Sequence, residues 1–328
     1  MIDSAFPLYL TVFIATFLIT VLVERSLIPI LQKSGKQPIY EGGPRWHISK
    51  SGTPTMGGVA FLVGITVSLF CAALIMLSMG KREGAISLFL CLGFSVLNSL
   101  VGIIDDLRKL KRRQNEGLKP YQKLTLQSIC ATVFLILRYV LLDAGTALSF
   151  SFGEVDAGLL YYPLAFIILL GITNCANLTD GIDGLATGVA FAVGVSLFYI
   201  SGALNTEASF ISSALMGGAC AFLIFNINPA RIFMGDTGSL FLGALGSACA
   251  VALGNPLLIV FIGGIYVIEG ISVILQVFYY KLTKKRLFKM APFHHHLEKC
   301  GWGENKICIS AIIVTLLLSI PAFIFYLP

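Results

Sequence analysis

The sequence predicts an all-α polytopic integral membrane protein with about ten transmembrane helices and both termini on the extracytoplasmic side. Three observations predict it. Hydrophobic residues make up 56% of the chain and charged residues only 12%, about half of what a soluble domain carries. Mean hydropathy is +0.87. The apolar residues gather into runs close to the roughly 20 residues that a spanning helix needs.

Ten runs occupy about 8–31, 55–79, 85–104, 122–142, 159–175, 185–201, 209–227, 239–254, 256–280 and 307–327. The first is too long and lacks the basic head of a cleavable signal peptide, so it reads as a retained helix. The segment 256–280 carries Glu269 and Gly270 in its middle and is expected to bend there, opening a groove for a lipid tail or making an interior polar contact. Between the fourth and fifth runs, Ala147–Asp156 alternates around Gly153 and predicts a small outer hairpin. The eight cysteines lie mostly inside apolar runs and form no Cys-x-x-Cys pair. They read as small buried hydrophobes, without a disulfide framework or a cysteine-type zinc site. The chain is thus expected to be one transmembrane domain, 1–328, with working loops at 32–54, 105–121, 176–184, 228–238 and 281–306.

Charge sets the orientation. Of the 23 lysines and arginines, all but Lys81, Arg82 and Arg138 fall on one side of these runs. The positive-inside rule makes that side cytoplasmic. Five aspartates (105, 106, 180, 183 and 236) and four histidines (47, 294, 295 and 296) fall on the same side. Carboxylates gathered at a membrane surface repel one another, so a divalent cation and a phosphate substrate are expected to hold them there.

The motifs on this face carry different weight. Asp105-Asp106 ends the third run, where the negative end of a helix dipole disfavours carboxylates by a few tenths to about 1 kcal/mol. It reads as a hard-cation ligand or a base, or as a pair offset by the basic loop that follows. Asn177, Asp180 and Asp183 recur every three residues and would share a face of a helical turn. Capping the next helix needs just one such side chain. In Asn228-Pro229-Ala-Arg-Ile-Phe233-Met-Gly-Asp236-Thr-Gly-Ser239, the acidic residue precedes a helix whose N-terminal N–H groups suit a phosphate. Lys50-Ser-Gly-Thr53-Pro54-Thr55 is the best equipped of these helix starts, with Pro54 in the first turn, Thr53 as cap and Lys50 adding charge, although it lacks the Walker pattern. Adjacent His294, His295 and His296 cannot all face one metal from a regular helix. They read as a polar wall for phosphate or sugar oxygens.

Together these segments resemble the phospho-N-acetylmuramoyl-pentapeptide transferases, a branch of the polyprenyl-phosphate hexose-1-phosphate transferase family. The resemblance runs in order from about Lys33 to Glu304. It rests on GTPTMGG after Lys50, the Asp105-Asp106 pair with its basic loop and Asn115-Glu-Gly-Leu, NLTDGIDGLA from Asn177, NPARIFMGDTGSL from Asn228, and HHHLE from His294. Tyr40 stands where the family pattern suggests an arginine, and Lys306-Ile-Cys-Ile-Ser replaces an Arg-Phe-Trp run. Both departures touch peripheral contacts rather than the aspartates.

The resemblance implies transfer of phospho-MurNAc-pentapeptide from UDP-MurNAc-pentapeptide to undecaprenyl phosphate with Mg²⁺, giving lipid I and UMP at the cytoplasmic face of the bacterial plasma membrane. It implies Asp105, Asp106 and Asp236 as the catalytic acidic set. Lys50, Thr55, Lys109, Lys123, Asn177, Asp180, Asp183, Asn226, Phe233 and His294–His296 are implied substrate-site residues. We expect Asp236 to be the direct metal ligand, Asp105 to serve the lipid phosphate, and Asp106 to support the metal or position its neighbours. Nucleic acid is not an expected partner, and a homodimer is left open. The nearest rival is a relative transferring GlcNAc-1-phosphate. An intramembrane aspartic protease would need two aspartates facing each other inside the bilayer, and a transporter would place its charges near the midplane.

Overall fold

The computed structural model describes residues 6–34, 50, 52–112 and 117–327. His47, Tyr40, Asn115 and most of the loop 32–54 lie outside the described residues. The order is α1 (Phe6–Ser34), α2 (Gly58–Ser78), α3 (Arg82–Arg112), α4 (Pro120–Leu142), β1 (Ala147–Phe150), β2 (Gly153–Asp156), a 3-10 turn (Gly158–Leu160), α5 (Tyr161–Thr179), α6 (Leu185–Ala203), α7 (Ala208–Asn226), α8 (Gly235–Ala252), α9 (Leu258–Ile262), α10 (Gly264–Thr283), α11 (Phe293–Glu298) and α12 (Glu304–Tyr326). The fold is the expected all-α polytopic one. Among the described residues, α1 to α7, α10 and α12 are long and apolar enough to cross a membrane. The expected hairpin forms, with Ala147 opposite Asp156 and Phe150 opposite Gly153.

The eighth run is α8, and it sits at the centre. Every residue from Thr237 to Val251 is buried, enclosed chiefly by α3, α5, α2 and α7. Its glycines and alanines let neighbouring backbones approach closely, the usual packing device of membrane helices. Outward-facing large residues are instead found on peripheral helices, at Leu10, Ile14, Leu18 and Leu22 of α1 and at Ile271, Ile274 and Phe278 of α10. Their i, i+3 and i, i+4 spacing gives each helix an apolar outer stripe.

Several boundaries differ from the sequence expectation, and the differences place the site. Helix α3 continues six residues past Asp106 to Arg112. The aspartate pair therefore lies above the last turn, beyond the steepest part of the dipole's disfavour, and Lys109 falls one turn away. Helix α8 starts at Gly235, so Asp236 sits in its first turn, where a negative charge is favoured. Helix α2 starts only at Gly58, with no side-chain cap. Thr53 does not cap it and Pro54 is not in its first turn. Instead the 54–58 segment pairs with 233–234: Phe233 N–H donates to Pro54 O at 2.9 Å, Gly57 N–H to Phe233 O at 2.9 Å and Gly58 N–H to Met234 O at 3.1 Å. The ninth run breaks at Gly263 rather than at Glu269-Gly270. Glu269 makes the interior polar contact described below. Helix α5 ends at Thr179, so Asp180 and Asp183 lie in a turn and do not share a helical face. All eight cysteines are free thiols.

Candidate active site

The ends of α3, α5 and α8 and the two paired loops enclose a cavity of about 240 Å³. It is lined by Lys50, Thr55, Asp106, Lys109, Asp180, Gly181, Ile182, Asp183, Asn226, Phe233, Gly235 and Asp236. Nine residues singled out from the sequence therefore reach one hollow from six separate segments. Asp105, Lys123 and Asn177 join through direct contacts with its lining.

Asp105, Asp106 and Asp236 each offer a carboxylate oxygen, and these oxygens lie within 4.8 Å of one another. The three carboxylates are held together by donors. Lys109 Nζ lies 2.6 Å from Asp105, 3.2 Å from Asp236 and 3.9 Å from Asp106. Lys123 Nζ donates to Asp236 Oδ2 at 2.9 Å and to Asn177 Oδ1 at 2.9 Å. The Asn177 amide donates to Asp236 Oδ1 at 2.9 Å and to Ser239 Oγ at 2.8 Å. Leu118 N–H donates to Asp105 Oδ1 at 2.6 Å.

Asp106 is committed differently. Its Oδ1 accepts Asp236 N–H at 3.1 Å, and its Oδ2 accepts Thr237 N–H at 2.9 Å and Thr237 Oγ1–H at 2.7 Å. A carboxylate of α3 thus satisfies orphan N–H groups at the start of α8. Gly235 makes the approach possible. It has φ +72°, and a Cβ there would meet the Asp106 carboxylate at 2.6 Å.

Asp180 and Asp183 separate in role. Burial, reinforced by the negative charges of Asp236 and Asp106, pushes Asp180 up to about 8, against the pull of Lys109. Asp183 instead lies within a dense hydrogen-bonded wall. It accepts Lys50 Nζ at 2.7 Å, the Asn228 amide at 3.0 Å and Ala230 N–H at 3.0 Å. Lys50 also donates to Glu304 at 2.6 Å, and Asp183 N–H donates to the same Glu304 oxygen at 2.9 Å. Asn226 borders the cavity, but its side chain already bonds Gly184 N–H, Thr187 Oγ1 and Ile232 O. It ties α7 to the start of α6.

The three histidines do not form a common wall. His294 alone abuts the cavity, packing its Nε2 against Gly181, where a Cβ would clash. Its backbone N–H and Nδ1 both engage the buried Glu269, at 3.1 Å to the nearest oxygen in each case. A carboxylate acceptor places a proton on Nδ1 and aims Nε2 at the cavity lining. His295 turns to Glu298 at 2.6 Å. The His296 ring accepts Lys289 N–H at 3.2 Å and stacks on Phe293. The sequence reading missed Thr237, Glu269 and Glu304 as parts of this site. Glu269 carried a signal, since an ionisable residue inside a membrane span is functional by default, but its partner is 25 positions away.

The arrangement brings positive side chains and converging carboxylates to a polar hollow, which suits a polyanionic substrate. Comparisons with known proteins agree with this chemistry. Residues 88–254 match Glycosyl transferase family 4, and residues 50–62 match the Phospho-N-acetylmuramoyl-pentapeptide-transferase signature 1. The chain is similar to proteins of that name from Clostridioides difficile strain 630, at 40% identity over 92% of this chain and 93% of the relative. It is likewise similar to that of Clostridium perfringens strain SM101, at 41% over 97% and 96%, and to that of Desulfitobacterium hafniense, at 40% over 94% and 95%. This multi-pass membrane protein belongs to the phospho-N-acetylmuramoyl-pentapeptide-transferase family.

Proposed function

We propose that the protein transfers phospho-MurNAc-pentapeptide from UDP-MurNAc-pentapeptide to undecaprenyl phosphate, giving lipid I and UMP for peptidoglycan synthesis, with its cavity open to the cytoplasm. The observation that carries this reading is the single hollow in which aspartates from α3, α8 and the α5–α6 turn meet Lys50 and Lys109, in a chain of this family. An oxygen of the lipid phosphate forms a bond to the sugar-bound phosphorus. The bond from that phosphorus to the bridging oxygen of UDP breaks, and UMP leaves with the electron pair.

The donor set fits magnesium, since three carboxylates supply hard oxygen ligands at close range and a hard cation takes such ligands together with substrate phosphates. Asp236 would be the direct ligand, with Asp105 beside it. Asp106 gives both oxygens to the start of α8, which makes it a positioning residue. When bound, the ion would neutralise phosphate charge. The protein's own residues do the rest. Lys109 and Lys123 hold the carboxylates in register and present positive charge to the phosphates. Asp105 orients the acceptor. A phosphomonoester has its second pKa near 6, so at neutral pH the acceptor is largely dianionic and Asp105 removes only a residual proton.

Purified protein should release UMP from UDP-MurNAc-pentapeptide only with both undecaprenyl phosphate and Mg²⁺ present. Full turnover in EDTA would remove the metal from the reading. Equal turnover of UDP-GlcNAc would favour the GlcNAc-1-phosphate rival.

A further inference from the structure

Glu304 holds the wall of the catalytic cavity from outside. It is the first residue of α12, where the positive end of the helix favours a carboxylate. It borders a separate hollow with Asn228 and Trp302, while Lys50 and Asp183 border the catalytic one. A single oxygen, Glu304 Oε2, accepts Lys50 Nζ at 2.6 Å and Asp183 N–H at 2.9 Å. Lys50 Nζ also donates to Asp183 Oδ1 at 2.7 Å. All three side chains are mostly buried, and low polarity around a hydrogen bond strengthens it.

This triangle fixes two parts of the cavity at once. An ammonium has three N–H donors, and Asp183 and Glu304 take two of those on Lys50. The third is left for an anion in the cavity. The turn between α5 and α6 is held at both its side chain and its backbone. The Asp183 carboxylate accepts the Asn228 amide and Ala230 N–H, each at 3.0 Å, and its own N–H is taken by Glu304. The same turn carries Asp180 into the cavity lining. Lys109 is spent on Asp105 and Asp236, and Lys123 on Asp236. Lys50 touches neither of those carboxylates among the described residues, so it is the lysine left to face the donor.

We propose that Glu304 is a positioning residue for the nucleotide donor, holding the Lys50 ammonium and the Asp183 turn in the geometry that receives it. The proposal rests on the reaction proposed above. What Glu304 supplies is an acceptor oxygen shared by two donors, not its charge. A further negative charge beside a polyanionic ligand repels it, so charge alone would work against the donor. An amide oxygen offers the same two lone pairs and can take the place of the carboxylate oxygen.

The test measures UMP release by the full-length protein, with UDP-MurNAc-pentapeptide and undecaprenyl phosphate varied in turn. Glu304→Ala should raise KM for the donor about tenfold and hold KM for undecaprenyl phosphate within about twofold, as expected for loss of donor binding alone. Glu304→Gln should recover most of that loss. A merely structural role would move both KM values together. If Glu304→Ala is not recovered folded, Glu304→Met, which keeps the bulk and lacks the oxygen, makes the same comparison against Glu304→Gln. Equal rises for both substrates, no rise for the donor, or a Glu304→Gln as impaired as Glu304→Ala each overturn the positioning role. Absence of UMP release by the unsubstituted protein with both substrates and Mg²⁺ overturns the reaction itself, and the donor role with it.

Discussion

Asp106 accepts both the backbone N–H and the hydroxyl of Thr237, at 2.9 and 2.7 Å, so a carboxylate from α3 caps a helix 130 residues further along the chain. Asp106→Ala should therefore damage two properties at once. Loss of a helix cap costs about 1–2 kcal/mol, which lowers the thermal midpoint in detergent. Displacing Asp236 by about 1 Å costs on the order of 100-fold in turnover. Unchanged thermal stability in Asp106→Ala would show that the cap is not what Asp106 supplies.

Asp180 predicts a pH dependence of stability. Its folded pKa, pushed up to about 8, lies above its ordinary value of 3.8. The fold then retains a proton that the unfolded chain releases. The associated stability is fully present below about pH 4 and is lost as pH rises towards about 8. Asp180→Asn should flatten that slope and raise the midpoint at pH 8, while lowering turnover. Melting curves at pH 5, 6.5 and 8 check this, and an identical slope in the variant would contradict it.

Glu269 and His294 should behave as one unit. Glu269→Ala leaves a buried backbone N–H and an imidazole without their acceptor, costing about 1–3 kcal/mol, and frees the ring that packs on Gly181. The loss in kcat/KM should equal that of His294→Ala, and the double variant should lose little more. Additive losses would mean that the two residues act separately.

Asp105→Asn separates orientation from proton removal. Near pH 8 the acceptor phosphate carries no second proton, so the variant should show a modest loss from orientation alone. At pH 6 the loss should deepen. Near-normal turnover of Asp105→Asn at pH 6 would end the base role.

A single displacement predicts that labelled UMP does not exchange into UDP-MurNAc-pentapeptide when enzyme and Mg²⁺ are incubated without lipid. Exchange under strictly lipid-free conditions would favour an aspartyl-phosphate intermediate.

Most of the fold was legible because membrane solvation writes itself into long apolar runs, and the hairpin because its alternation is local. The gathering of Asp105, Asp180 and Asp236 was legible through charge, since sidedness alone confines them to one surface. What remained hidden depended on contacts between distant segments. The late start of α2 follows from the pairing of residues 54–58 with 233–234, which overrides the local helix-start signal of Pro54. The break at Gly263 leaves no charge to announce it. Adjacent His294, His295 and His296 look equivalent in sequence, and only the packing of α11 against Glu269 assigns the first to the cavity and turns the other two to Glu298 and Phe293.

Helix α8 meets protein on nearly every side, and this frees it from a demand placed on its neighbours. A segment exposed to hydrocarbon must be oily along its length. One sheathed by other helices needs only to fit them, so serines, glycines and an acidic first turn are tolerated in its 18 residues. Asp236 thus rides on a strut held by its neighbours rather than by lipid. The outer helices supply the solvent that α8 would otherwise have to find in lipid.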